Sequence, residues 1–355
     1  MILEDRQDKD LAFMLKFENV AWYEDGKVRI LDRRIYPIRT EFVVCKSHKE
    51  VAQAIKDMVT QSEGPYTAAA MGMALATYEI KNETDPEKIV AYLEDAAYTL
   101  SHARPTTAEQ MKGIVNGAVK AAKEAVSKGV IGDALVDVIF KYAYDYENNN
   151  YRRYTVIGHN LAKMIPDNGT IMTQCFAGTV VGTMLRECRK MNKNIKLFCA
   201  ETRPYYQGAR LTASVACDMG FDVTVISDNM PAYTMKTKNV DLFTSASDVI
   251  TMDGHVVNKV GTFQMAMAAH YYGIPYYCTG TPDPAHPDMS SVVIEERDPA
   301  QVIESLGQKT TMDGVKGYYP AFDCTPPEFV TGIVTDKGVY KPEDVHKYFE
   351  GDSEC

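Results

Sequence analysis

Short apolar runs recur along the second half of the chain, at residues 170–174, 195–200, 222–227, 247–252, 274–278 and 291–294, and the stretches between them are long enough for helices. Runs of this length bounded by polar residues read as buried strands. Strands that alternate with helices join in parallel, because a parallel neighbour is reached only by a long crossover. The alternation predicts a mostly parallel sheet with helices on its faces, a Rossmann-like α/β domain. No GxGxxG follows any of these runs and no GxxxxGK[ST] occurs. The sheet therefore does not read as a dinucleotide or P-loop domain, a nicotinamide-dependent oxidoreductase is disfavoured, and no cofactor is expected.

The first half has a different texture. Residues 27–45 are β-branched and interrupted by Pro37, which predicts short strands and a turn. Beyond them Val51, Ala52, Ile55, Met58 and Val59 mark one amphipathic face, and the Ala/Met-rich stretch 67–78 suits a buried helix. Pro105 and Thr106-Thr107 open a further helical segment, in which Met111, Ile114, Val115, Ala118, Ala122 and Val126 recur every three to four residues up to Gly129. The polar run Glu147-Asn148-Asn149-Asn150 reads as a boundary loop, followed by one more helix over 151–164. A chain of 355 residues exceeds one typical domain. The expectation is a smaller, mainly helical N-terminal domain preceded by short strands, 1–148, and the Rossmann-like domain, 149–355.

A net charge of −10 disfavours a nucleic-acid surface, which needs Lys and Arg to replace condensed counterions. The start of the chain is charged, without the apolar core of a signal peptide, and no apolar run has the length of a membrane span, so a cytoplasmic protein is expected. The eight cysteines show no CxxC pairing or His/Cys spacing, which points away from a zinc site or a disulfide framework. Most, like Cys45 and Cys199, read as small buried apolar residues.

Cys175 differs in position. It follows the run 170–174 and precedes a predicted helix start at 176–179, where the helix's positive end favours a thiolate base or nucleophile; a buried thiol at a strand end is the alternative. Glu201 to Ala213, with two arginines and Gln207 around Pro204 and Gly208, follows the next run and reads as a ligand loop or a surface salt-bridge cluster. Asn258 and Lys259 near a helix start suit a phosphate, held by N–H groups and an ammonium. Asp248, flanked by apolar residues, reads either as a buried acid of raised pKa or as a turn residue. His255, a lone histidine in a turn, reads as a hydrogen-bonding residue before a catalytic one.

Together with Val28–Asp32, Arg104-Pro105-Thr106, Glu201–Pro204, Gln207–Ala213, Asn258–Thr262, Ile294–Arg297 and Pro320–Pro326, these residues make the sequence resemble the methylthioribose-1-phosphate isomerase family, related to the α, β and δ subunits of translation initiation factor 2B and to ribose-1,5-bisphosphate isomerases. The resemblance runs nearly end to end. It implies a cofactor-free, metal-free homodimer of methionine salvage that converts an aldose 1-phosphate to a ketose 1-phosphate. It places the catalytic pair on Cys175 and Asp248 and the substrate-binding residues on Arg104, Gln207, Asn258 and Lys259. The anomeric oxygen of such a substrate is esterified, so an acid must open the ring, a role for Asp248 if apolar packing keeps it protonated. Cys175 then assists either proton transfer through a cis-enediol or a hydride shift.

The chain departs from the family where a ligand is expected. Ser62-Glu63-Gly64-Pro65 stands in place of Arg-Gly-Ala-Pro, Phe176 in place of Asn, and His255 in place of Asp. These changes widen the expected substrate to a 5-substituted ribose 1-phosphate of the methylthio or 5-deoxy type. The competing reading is a non-catalytic, sugar-phosphate-sensing protein of the initiation-factor-subunit type.

Overall fold

The computed structural model describes residues 5–104 and 108–350, with the backbone alone at 108–110. The chain divides into two compact units, Met1–Arg152 and Arg153–Cys355. The first unit carries the short helix α1 (Phe17–Val20) and a three-stranded antiparallel sheet of β1 (Ala21–Glu24), β2 (Lys27–Leu31) and β3 (Phe42–Cys45). Helices α2 (His48–Lys56), α3 (Gly64–Glu79), α4 (Pro86–Ser101) and α5 (Ala108–Ser127) follow. Every residue of α3 from Thr67 to Thr77 is buried, as its Ala/Met composition anticipates. The α5 stripe Met111, Ile114, Val115, Ala118, Ala122 and Val126 is buried too. Pro105, Thr106 and Thr107 lie outside the described residues.

The run 147–150 is not a loop. It lies inside α6 (Asp133–Met164), a single 32-residue helix that replaces the separate helix expected over 151–164. The sequence misleads because Glu147 and Asn148 are buried hydrogen-bonding residues. Thr67 Oγ1 donates to Glu147 Oε2 at 2.8 Å, and Asn148 Oδ1 accepts from the Gln7 amide at 2.9 Å. Burial pushes the Glu147 carboxyl up to about 8, only partly opposed by the Thr67 bond. An acid raised in the fold holds its proton there. Its contribution to stability is complete below the unfolded pKa of about 4.5 and is lost as pH rises towards 8. Glu147→Gln, which keeps the acceptor for Thr67 without the ionisation, is expected to stabilise the protein by about 2–3 kcal/mol at pH 7 and by almost nothing at pH 4.5. Paired thermal melts at the two pH values read this difference.

In the second unit the strands are β4 (Thr170–Gln174), β5 (Lys196–Ala200), β6 (Asp222–Ile226), β7 (Leu242–Ala246), β8 (Val249–Ile250), β9 (Val256–Lys259), β10 (Tyr276–Thr279), β11 (Glu304–Ser305), β12 (Gln308–Lys309), β13 (Phe322–Thr325), β14 (Gly332–Val334) and β15 (Val339–Tyr340). The helices between them are α7 (Thr179–Lys190), α8 (Ala213–Asp218), α9 (Pro231–Thr237), α10 (Thr262–Tyr271) and α11 (Ala300–Ile303). The main sheet has the order β15-β14-β10-β7-β4-β5-β6, parallel except for β15. Met172, Phe243, Tyr276 and Ile333 from its strands pack with Met265, Ala266 and Ala269 of α10 in one core cluster.

Two strand expectations fail. The parallel strand lies at 242–246, not 247–252; Val249–Ile250 instead joins the antiparallel sheet β13-β9-β8. Residues 291–294 form no strand, and Val293 is 91% exposed. No helix among the described residues is long and apolar enough to cross a membrane.

Candidate active site

The main sheet reverses its order between β4 and β7. From β4 the chain steps outward through β5 and β6, then returns to lay β7, β10 and β14 on the other side. Loops leaving two such strands diverge and open a crevice at their carboxyl ends, the place where open α/β sheets collect ligands. Cys175 follows β4 directly and Asp248 lies two residues past β7, one on each side of the reversal.

The Cys175 backbone is held in the left-handed region at φ 61°. Its amide donates to Thr202 Oγ1 at 3.1 Å, and its carbonyl accepts from Thr212 Oγ1 at 2.5 Å. Thr202, itself at φ 65°, is fixed by its amide donating to Asp228 Oδ1 at 2.8 Å. The thiol is not activated by a helix end. α7 begins only at Thr179, and a helix dipole fades within about one turn. Burial instead pushes the thiol up to about 11, Lys259 pulling it back and Asp248 adding to the rise. Cys175 is therefore a neutral thiol, contrary to the thiolate expectation. A narrow cavity of about 20 Å³, room for one water-sized group, lies beside it among Thr173, Gln174, Val180, Met184, Thr212 and Thr244.

Asp248 is exposed, so the apolar packing expected around it is absent; its amide is tied to the Val257 carbonyl at 2.8 Å. The turn-residue alternative describes its backbone. Its charge is nonetheless felt by both Cys175 and Lys259.

Asn258 and Lys259 sit on β9, not at a helix start. Two of the amides at the start of α10 are already occupied. Gly261 and Phe263 donate to the Asp323 carboxylate at 2.6 and 3.2 Å, so the expected phosphate cradle of helix N–H groups is filled by the protein's own acid. Burial raises Asp323 to about 6 against these donors. Gly261 has φ 104°, and a Cβ there would lie 3.0 Å from Gln174 Nε2. Asn258 is buried and donates to Thr262 Oγ1 at 3.0 Å.

Lys259 is 3% exposed and has no carboxylate partner among the described residues; Tyr319 OH is its hydrogen-bond contact, at 3.4 Å. Its ammonium lies 4.9 Å from the Phe322 ring centre. Burial lowers it to about 8, with Arg297 pushing it further down and the Asp248 carboxylate pulling it up. Gln207 is buried, and its Oε1 has no hydrogen-bond partner among the described residues. It precedes a π-helical turn, Gly208–Thr212, whose first residue must be glycine because a Cβ would lie 1.8 Å from the Ala200 carbonyl oxygen. The two arginines of this loop hold backbone carbonyls. Arg203 donates to the carbonyls of Val302 and Glu304, and Arg210 to that of Tyr205.

Arg104 belongs to the first unit, just beyond α4. His255 pairs with Asp253 across the β8–β9 turn, Nδ1 to Oδ1 at 2.9 Å, a local bond of the kind expected for it. Ser62 is exposed and Phe176 is buried. Arg297, Tyr205, Tyr319, Phe322 and Asp323 were not singled out by residue type. Their segments carry the family resemblance, yet nothing in local spacing brings them to Lys259. Among the described residues no group of three or more His, Cys, Asp or Glu is placed to hold a metal.

A family model described as the initiation factor 2 subunit family matches residues 61–342. A methylthioribose-1-phosphate isomerase of Thermosipho africanus is 35% identical over 95% of this chain and 99% of its own. The chain belongs to the methylthioribose-1-phosphate isomerase family. The isomerase of that name from Thermotoga maritima is also 35% identical over 95% of this chain and 99% of its own length. Among solved structures, the family's 5-methylthioribose 1-phosphate isomerase from Pyrococcus horikoshii matches with a TM-score of 0.82 and 29% identity, over 95% of this chain and 98% of that one. The translation initiation factor eIF-2B delta subunit from A. fulgidus matches at 0.81 with 30% identity, over 92% and 96% of the two chains. The helical N-terminal part and the mostly parallel central sheet agree with these structures.

Proposed function

We propose that the protein is an aldose–ketose isomerase that turns a 5-substituted ribose 1-phosphate, of the methylthioribose or 5-deoxyribose type, into the ribulose 1-phosphate, working as a cytoplasmic homodimer on a Rossmann-like sheet. The observation that carries the proposal is that Cys175 and Asp248 flank the reversal of the sheet order, with Lys259 buried and without a carboxylate partner among the described residues. The isomerase relatives support it. Lys259 meets the phosphate, with Gln207 and Asn258 as neutral polar ligands and Arg104 as a further cation. Asp248 gives a proton to the ring oxygen, and closing the sugar over it removes the water that favours its carboxylate. A neutral Cys175 is a poor base, which supports a hydride passing from C2 to C1 beside the thiol over a cis-enediol, with the C2 hydroxyl giving its proton back to the Asp248 carboxylate as the ketone forms.

The test is turnover of methylthioribose 1-phosphate, 5-deoxyribose 1-phosphate and ribose 1,5-bisphosphate, with the ketose followed by NMR. Conversion of either of the first two is the expected result; silence on all three from folded protein would sink the proposal in favour of a sensor. With the preferred substrate, kcat/KM is expected to fall above about pH 8, as Lys259 of the free enzyme loses its proton. A bound phosphate dianion favours the ammonium, so the corresponding limb in kcat lies at higher pH. A flat kcat/KM profile between pH 7 and 9.5 would remove Lys259 from phosphate binding.

A further inference from the structure

Residues 295–297 run alongside 319–321. The Ala321 amide donates to the Glu295 carbonyl at 2.8 Å and the Arg297 amide to the Tyr319 carbonyl at 2.9 Å. The next residue of that segment, Phe322, pairs with Lys259 across β13 and β9. Arg297 is thus registered to Lys259 by two successive backbone pairings. Its guanidinium is 10% exposed, clamped by Glu295 through Nε at 2.8 Å and Nη2 at 3.2 Å. It lies 5.8 Å from the Tyr205 ring centre and 5.4 Å from that of Phe322. Lys259 rests on the same Phe322 ring, so the two cationic centres are no more than about 10 Å apart.

We propose that Arg297 is a positioning residue that, with Lys259 on the same Phe322 ring, makes this part of the site an anion slot. The proposal rests on the reading of Lys259 as the phosphate-holding residue. A buried ammonium and a part-buried guanidinium repel across one aromatic ring, and Glu295 neutralises only the guanidinium it clamps. The repulsion lowers the ammonium's hold on its proton, and an arriving phosphate dianion relieves it. The charged and titratable groups that face Lys259 are Cys175 after β4, Asp248 after β7, Glu295 and Arg297 on the paired segment, and Tyr319 and Asp323 beside it. Of these, Arg297 pushes the lysine down, whereas the Asp248 and Glu295 carboxylates pull it up.

The probe is inorganic phosphate, whose affinity for the full chain is measured by calorimetry from pH 7 to 9.5. In the parent protein affinity is expected to weaken above about pH 8. Arg297→Met is expected to weaken binding about tenfold at pH 7 and to move the alkaline limb upward by about one pH unit. Arg297→Lys restores both. Glu295→Gln moves the limb the opposite way, to lower pH, a signature that general damage to the pocket cannot produce, and it carries the test if the Met variant does not fold. A limb that stays in place in all variants, or a parent protein that binds no phosphate at millimolar concentration, would overturn the proposal. Phosphate binding that depends on Arg297, with no sugar phosphate turned over, would leave this inference standing and remove the isomerase.

Discussion

Cys175→Ser is expected to lower kcat by about 10²–10⁴-fold while leaving KM and the melting temperature nearly unchanged. The structural ties of residue 175 run through its backbone, to Thr202 and Thr212, and serine keeps both. On the proposed mechanism, the substitution removes only the sulfur that lies beside the reacting carbons. Running the parent enzyme in D₂O distinguishes the chemistry. A thiol pushed up to about 11 holds its proton at neutral pH, so the ketose formed is expected to carry no solvent deuterium at C1. Full incorporation of one deuterium would mean that a base takes the C2 proton, and a Cys175→Ser enzyme within tenfold of the parent would take the sulfur out of the reaction.

Asp248→Asn is expected to have a comparable effect, again about 10²–10⁴-fold in kcat, because asparagine fills the same volume without an acidic proton. The side chain is exposed and its backbone amide is held by Val257, so no loss of stability should accompany the loss of rate. Calorimetric titration with the sugar phosphate supplies the control: binding should persist in the inactive variant. Unchanged turnover would mean that ring opening draws its proton from elsewhere, whereas a variant that neither binds nor melts normally would assign Asp248 a structural role.

Much of the fold was legible because burial leaves a mark on residue type. The runs at 170–174, 195–200, 222–227 and 274–278 became parallel strands of the central sheet, and the small-residue stretch 67–78 became the core of α3. What failed did so for definite reasons. Glu147 and Asn148 look like loop residues, but their polar atoms are satisfied inside the first unit, and a hydrogen bond to Thr67 or Gln7 leaves no trace in local spacing. The run 247–252 starts just past the end of β7 and holds a bend and a short antiparallel partner of β9, which an apolar window cannot tell from a parallel strand.

The sequence put its candidate residues at strand ends and loops but carried no mark of their states. Cys175 and Asp248 do flank the sheet reversal, but the depth of the thiol and the exposure of the acid depend on neighbours far away in sequence. Arg297 shows the limit most clearly. It reaches Lys259 only through the pairing of 295–297 with 319–321 and of Phe322 with Lys259, and none of these partners lies within thirty residues of Lys259 along the chain.

The carboxylate of Asp323 on the opening amides of α10 has a thermal consequence. Backbone dipoles keep their strength on heating, but here two of those amides are spent on Asp323, and on the proposed reading amine chemistry carries much of the anion's attraction. Loss of a proton from an ammonium absorbs heat, so warming drains charge from Lys259 at constant pH. Substrate affinity in this protein should therefore decline with temperature faster than in a phosphate site built from helix amides, well before any melting begins.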